Sequence, residues 1–331
     1  MRLLQLGVIV AAVMPPAGAA ALRAQPAVVA TSPGLFEYHS AFWVNLHHLL
    51  YEQARARLGL DTTRAIVRAA AADTGDIDRL TPDERRAWDA ALRYYAEHLA
   101  ARDVLERDMA ALKAALGDRE NAPTLAGAPI DDSLRLILEH AAPAYRAIWW
   151  PRHDGGNRAW VAAIAPLVAA HGASMARRLA RIFASPWDEF LIRVDASAYA
   201  NWAGAYTTNH PDRITVATRD PDYTGLSGVE MVFHETLHTM DDSVRAALQA
   251  AAARHGKRLP RDLTHAVVFF TAGEVARREV PGYEPYAGRL GIWSRGAYPT
   301  YLPILRAHWL PWIDGHTTFT AAVDGIAAAL P

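Results

Sequence analysis

Ser227-Gly-Val-Glu-Met-Val-Phe-His-Glu-Thr-Leu-His238 is the stretch on which the reading of this chain turns. Val229, Met231, Val232, Phe233 and Leu237 supply the apolar side chains of a buried helix, and the stretch before it, Tyr223 to Gly228, reads as a loop. Ser227 followed by Glu230 makes S-x-x-E, the pattern of a capping box that opens a helix. Within that helix His234 and His238 stand four apart, so both rings lie on one face about one turn from each other. Two imidazoles so spaced can grip one zinc ion, and Glu235 is left beside a water that it can deprotonate. The pattern H-E-x-x-H therefore points to a zinc hydrolase with Glu235 as the general base.

A catalytic zinc usually takes three protein ligands and keeps one position for water. A third His at the short spacing of the metzincins would fall at position 244, which is Val244. A carboxylate from a later helix is the other pattern, and Glu274 offers one, inside the apolar stretch Thr264 to Arg278. A charged Glu274 in that setting costs free energy unless something pairs with it, either the metal or Arg277 and Arg278. His265 competes for the same role. It precedes Glu274 by nine positions, about 180° around a helix, so one straight helix cannot aim both at one ion. His265 is therefore read either as the ligand itself or as a catalytic donor to the oxyanion, with Glu274 as the expected ligand beside His234 and His238. Tyr283, Tyr286, Tyr298 and Tyr301 are further donor candidates, and Asp241 and Asp242 could orient a zinc-bound His.

H-E-x-x-H with a Glu on a later helix resembles the gluzincin group of zinc metallopeptidases, over roughly residues 190–280. The resemblance implies a zincin-like catalytic region, a peptide or protein substrate, and a small upstream sheet as the substrate-binding edge. Many members carry an acidic residue four positions after the ligand Glu; here Arg278 stands there.

The rest of the chain reads as α+β and mainly α-helical. Residues 1–24 have a charged start, an apolar run from Leu3 to Met14 and small residues after it, the form of a secretory signal peptide. Residues 25–35 read as a linker and 36–185 as a helical region, with a capping box at Thr81–Glu84 opening one long helix to about Leu116. Adjacent His47 and His48 point about 100° apart on their helix and read as structural. After Pro186 the texture alternates. Strands are expected at 190–195, 203–207 and 213–218, the last a possible edge with which an extended peptide could pair. Helices follow to the end, so 186–331 forms the catalytic region.

Composition narrows the functions. The formal net charge is −1, no block of like charge occurs, and Lys113 and Lys257 are the only lysines, which argues against nucleic-acid binding. The absence of Cys excludes disulfides and thiolate metal sites. No second long apolar segment is expected to span a membrane, and the signal segment implies a periplasmic or secreted protein. Alternatives to a peptidase are a zinc hydrolase of another amide or ester, and a helical binding protein with a non-catalytic zinc site.

Overall fold

The computed structural model describes residues 26–187 and 191–331, so the expected signal segment lies outside the described residues. The fold is α+β and mainly helical, with one mixed sheet between two helical layers. In chain order, β1 (Val28–Ser32) and β2 (Phe36–His39) precede α1 (Phe42–Arg57), α2 (Ala65–Ala72), α3 (Pro82–His98), α4 (Arg107–Arg119), α5 (Asp132–Ile148) and α6 (Trp150–Phe183). Then come β3 (Ile192–Ser197), β4 (Ala205–Thr208), β5 (Arg213–Ala217), α7 (Gly225–Leu237), α8 (Asp242–Arg254) and α9 (Leu263–Glu279). Short helices and a closing helix, Phe319–Ala329, complete the chain.

Strand order is β1-β2-β3-β5-β4. The outer pairs β1–β2 and β5–β4 are antiparallel, and β2–β3 and β3–β5 are parallel. Two expectations change here. Residues 28–39 are a strand hairpin and not a linker running into a helix. Its two-residue alternation, Phe36 and Tyr38 against Glu37 and His39, is only four residues long and is masked in sequence by the helical spacing that starts at Phe42. The strand at 213–218 is also not an edge. All five residues of β5 are buried between β3 and β4, and β4 forms the edge.

Alternation gives the sheet two different faces. Phe36, Tyr38, Ile192, Val194, Ile214 and Val216 share an apolar core with Trp160, Ile164 and Val168 of α6 and with Val229, Val232 and Phe233 of α7. Phe233 meets Phe36 edge to face, 5.2 Å between ring centroids, and such a pair adds about 1 kcal/mol to its burial. This contact helps seat α7 against the sheet. Residues of opposite parity, among them His39, Arg193, Asp195, Arg213 and Thr215, turn toward α1 and α4, whose helical layer has its own core around Trp43, Leu46, Trp88, Tyr95 and Trp149.

The two cores interleave along the chain: Leu35, Phe36 and Tyr38 belong to the core of the α6–α7 face, and Ala198, Tyr199, Ala200, Tyr206 and Ala217 to that of the α1–α4 layer. Helix α6 is read by sequence as part of the N-terminal region, yet its apolar face shares the core of the sheet and α7. By length and composition α6 alone, among the described helices, could cross a membrane: one 18-residue window has a mean hydropathy of 1.5, with 39% of that window buried in the fold. The long helix expected from Thr81 ends at His98 and α4 starts afresh at Arg107. The Thr81–Glu84 capping box is formed. Ser227 and Glu230, by contrast, form none, because α7 already begins at Gly225. Ser227 Oγ donates toward the carbonyls of Asp222 and Thr224, and Glu230 turns away to the loop at Tyr283.

Candidate metal centre

Helices α7 and α9 run side by side in opposite directions. Glu230 lies against Gly273, His234 against Phe269, and His238 against His265. A Cβ on Gly273 would stand 2.7 Å from Pro285 Cβ and 3.2 Å from Glu230 Oε1, so the close approach needs glycine there. This register sets the site. It brings His265, in the first turn of α9, onto the two His of α7.

His234, His238 and His265 form a group that could hold a metal ion, their ligand atoms all within 4.8 Å of one another. His265 Nε2 and His234 Nε2 lie 3.2 Å apart. Two ligands at the usual zinc–nitrogen length of about 2.05 Å and a tetrahedral angle would be separated by about 3.3 Å. Other divalent ions with similar bond lengths would fit as well. Burial and the two neighbouring rings hold His234 well below the usual imidazole range. Loss of hydration and the nearby His238 take His265, which stays exposed on one side to the cleft, down to about 3. Both are thus neutral at pH 7, the form that ligates metal. His238 is shifted the other way: burial opposes its protonation, but the Asp241 and Glu235 carboxylates outweigh it.

Asp241 Oδ2 lies 3.4 Å from His238 Nδ1 and is also ion-paired to Arg245. It caps no helix by its side chain. Its contacts suit the ring-orienting role, whereas Asp242 is exposed and meets only Arg245. Among the described residues, His234 Nδ1 is buried without a hydrogen-bond partner.

Glu235 faces the cleft with its side chain almost wholly buried. Thr207 Oγ1 of the edge strand lies 2.8 Å from Glu235 Oε2 and 2.8 Å from the Glu235 carbonyl oxygen. Burial raises the Glu235 carboxyl above its ordinary value, opposed by His238, the Thr207 hydroxyl and Lys113. Thr207 was not singled out in the sequence; its only signal is its place in the short strand expected at 203–207.

The structure does not bring Glu274 to the histidines. It sits nine residues beyond His265, two and a half turns along α9 and so on its opposite face, and its carboxylate bonds Arg277 at 2.7 Å and Arg278. Arg278 continues to Asp314 at 2.6 Å. Those arginines supply the pairing that burial of Glu274 requires. The four tyrosines weighed as oxyanion donors are also elsewhere. Tyr283 bonds Glu230 at 2.7 Å, Tyr286 leans on Tyr223, and Tyr298 and Tyr301 pack against each other's rings. His47 and His48 are buried and bond Tyr95 and Tyr206, in keeping with a structural role.

A cleft of about 1010 Å³ opens onto the site. It is lined by β4, by the start of α4 with Arg107, Ala110 and Ala111, and by Leu259 to Arg261 with His265. Tyr206, Asn209 and His210 also line it, and none was foreseen as a site residue. No protein-family model, curated protein or solved structure matches the chain.

Proposed function

We propose that the protein is a zinc-dependent peptidase in which His234, His238 and His265 hold the metal and Glu235 is the general base. The observation that carries this reading is the convergence of three imidazoles on one point beside a buried carboxylate at the head of a large open cleft. A structural zinc site would fill its four positions with protein ligands and would need neither Glu235 nor the cleft. The ligand set departs from the gluzincin pattern, since His265 replaces the later Glu.

When bound, zinc would polarise the scissile carbonyl and bring the pKa of water toward 7. Glu235 takes a proton from the attacking water as the new carbon–oxygen bond forms. It then gives that proton to the amide nitrogen as the carbon–nitrogen bond breaks, so the products are a carboxylic acid and an amine. Burial makes Glu235 a stronger base than an ordinary carboxylate, and the Thr207 hydroxyl fixes which oxygen faces the water. Asp241 orients His238. The amino-terminal segment Met1 to Ala24 supports export to the periplasm or medium.

The test is metal content together with cleavage of a peptide library. Glu235→Gln is expected to keep one metal per chain and to lose activity by roughly 10²–10⁴-fold. Full activity in Glu235→Gln would end the reading. Turnover of esters but of no peptide would move the assignment to another carbonyl hydrolase.

A further inference from the structure

The cleft carries an uneven set of charges. Arg107 on the α4 wall and Arg261 on the α9 wall are both exposed, and neither has an ion-pair or hydrogen-bond partner among the described residues. The acids next to Arg107 in sequence are engaged elsewhere: Glu106 and Asp108 both pair with Arg102 and do not line the cleft. Asp262, beside Arg261, does not line it either. The cleft's own carboxylates are Glu235 and Asp241. Asp241 is spent on Arg245 and His238, and Glu235 is held by Thr207. Arg107 and Arg261 thus bring two guanidinium groups to the cleft with no ion pair of their own among the described residues, against Glu235 as the one lining carboxylate without an Arg partner. An arginine fork binds carboxylates with both geometry and charge, and two like charges lining one cleft repel a cationic ligand as strongly as they attract an anionic one.

We infer that the substrate is an acidic peptide, whose carboxylate side chains are received by Arg107 and Arg261 in the cleft. This rests on the peptidase reading above but can fail separately from it.

The experiment uses the full chain with zinc and three peptide pools of one scaffold, carrying Glu, Gln or Lys at the positions flanking the central bond. The expected kcat/KM for the Glu pool exceeds that for the Gln pool by about tenfold and that for the Lys pool by about a hundredfold. The preference should shrink in 0.5 M salt, which cuts the screening length to about 4 Å. It should vanish in the Arg107→Gln/Arg261→Gln double variant. Binding of the same pools to Glu235→Gln is measured by calorimetry, which needs no turnover. Cleavage without charge preference, or a preference that survives the double variant, overturns the inference and leaves the peptidase intact. Selective binding of the Glu pool, lost in the double variant but without cleavage by the parent, upholds the acidic ligand and overturns the peptidase.

Discussion

The two faces of the sheet are built by opposite means. On the α6–α7 face the contact is apolar: Val194, Ile214 and Val216 meet Ile164, Val232 and Phe233, and every side chain is at home in a dry core. On the α1–α4 face the contact is polar. Lys113, almost fully buried, bonds the Arg213 carbonyl at 3.2 Å and Thr215 Oγ1 at 3.1 Å and lies 4.8 Å from the centre of the Tyr206 ring. Arg193 reaches the Gly117 carbonyl, Asn45 the Ala196 carbonyl, and His48 the Tyr206 hydroxyl. Glu52 of α1 is wholly buried with neither oxygen partnered. The apolar face holds the helix that carries His234 and Glu235. The polar face holds α4, which forms a wall of the cleft. The three-histidine group thus rests on an apolar seat, whereas a wall of the cleft is seated through buried polar contacts.

The largest effect that can break this contrast concerns the metal. If the site belongs to the apolar layer through the α7–α9 register, His265→Ala should lower zinc affinity by about 100-fold or more, and Asp241→Ala by roughly 10- to 100-fold. Glu274→Ala should leave zinc bound and cost at most about 1 kcal/mol, the worth of a partly exposed pair with Arg277 and Arg278. Metal titration of the three variants decides it. Loss of zinc in Glu274→Ala with retention in His265→Ala would reverse the ligand set.

That prediction also marks where the sequence stops being sufficient. His234, Glu235 and His238 are legible because three residues on one helix need only its own periodicity. The choice between His265 and Glu274 depends on how α9 lies on α7, and that is set by Gly273 meeting Glu230 and Pro285, contacts between segments far apart in the chain. The 180° between the two candidates is readable; which of them faces inward is not. The strands at 192–197, 205–208 and 213–217 lie close to the positions their alternation predicts. Their order is not legible, because β2, from the very start of the described chain, pairs with β3 across about 150 residues. Lys113 and Glu52 look in sequence like charges on helix faces turned to water, and only the stacking of α1 and α4 on the sheet buries them.

The polar face should show itself in the pH dependence of stability. Burial, with some relief from Arg55, raises Glu52 to about 8. It therefore holds its proton in the fold where the unfolded chain would release it, and its contribution, complete below about 4.5, is lost as pH rises through 8. Burial, opposed by Asp195, lowers Lys113 to about 7. Its contribution is complete above about 10.5 and is lost as pH falls through 7. The two slopes have opposite sign and meet near neutrality, so thermal unfolding should show a minimum of Tm between pH 7 and 8. Glu52→Gln should flatten the acid-side fall, and Lys113→Met the alkaline-side rise. A variant that shifts Tm equally at every pH would show that these groups are not what titrates.

The smallest effect sharpens the contrast at the cleft itself. Trp202 and Leu105 are among the few large apolar side chains left exposed, at 39% and 57%, and both line the cleft, Leu105 just before α4 and Trp202 in the loop leading to β4. Arg64 lies 4.6 Å from the centre of the Trp202 ring, which steadies one face and leaves the other to the cleft. An apolar side chain of a substrate covering that free face would gain roughly 1–2 kcal/mol. Trp202→Ala is thus expected to raise KM by about five- to thirtyfold with kcat nearly unchanged, because the contact is equal in ground and transition states. Its unfolding free energy should hold within about 0.5 kcal/mol, as for other exposed positions. A fall in kcat with KM constant would instead tie the loop 198–204 to the geometry of Thr207 and Glu235. The α4 wall and the edge strand would then act on the chemistry and not only on the fit.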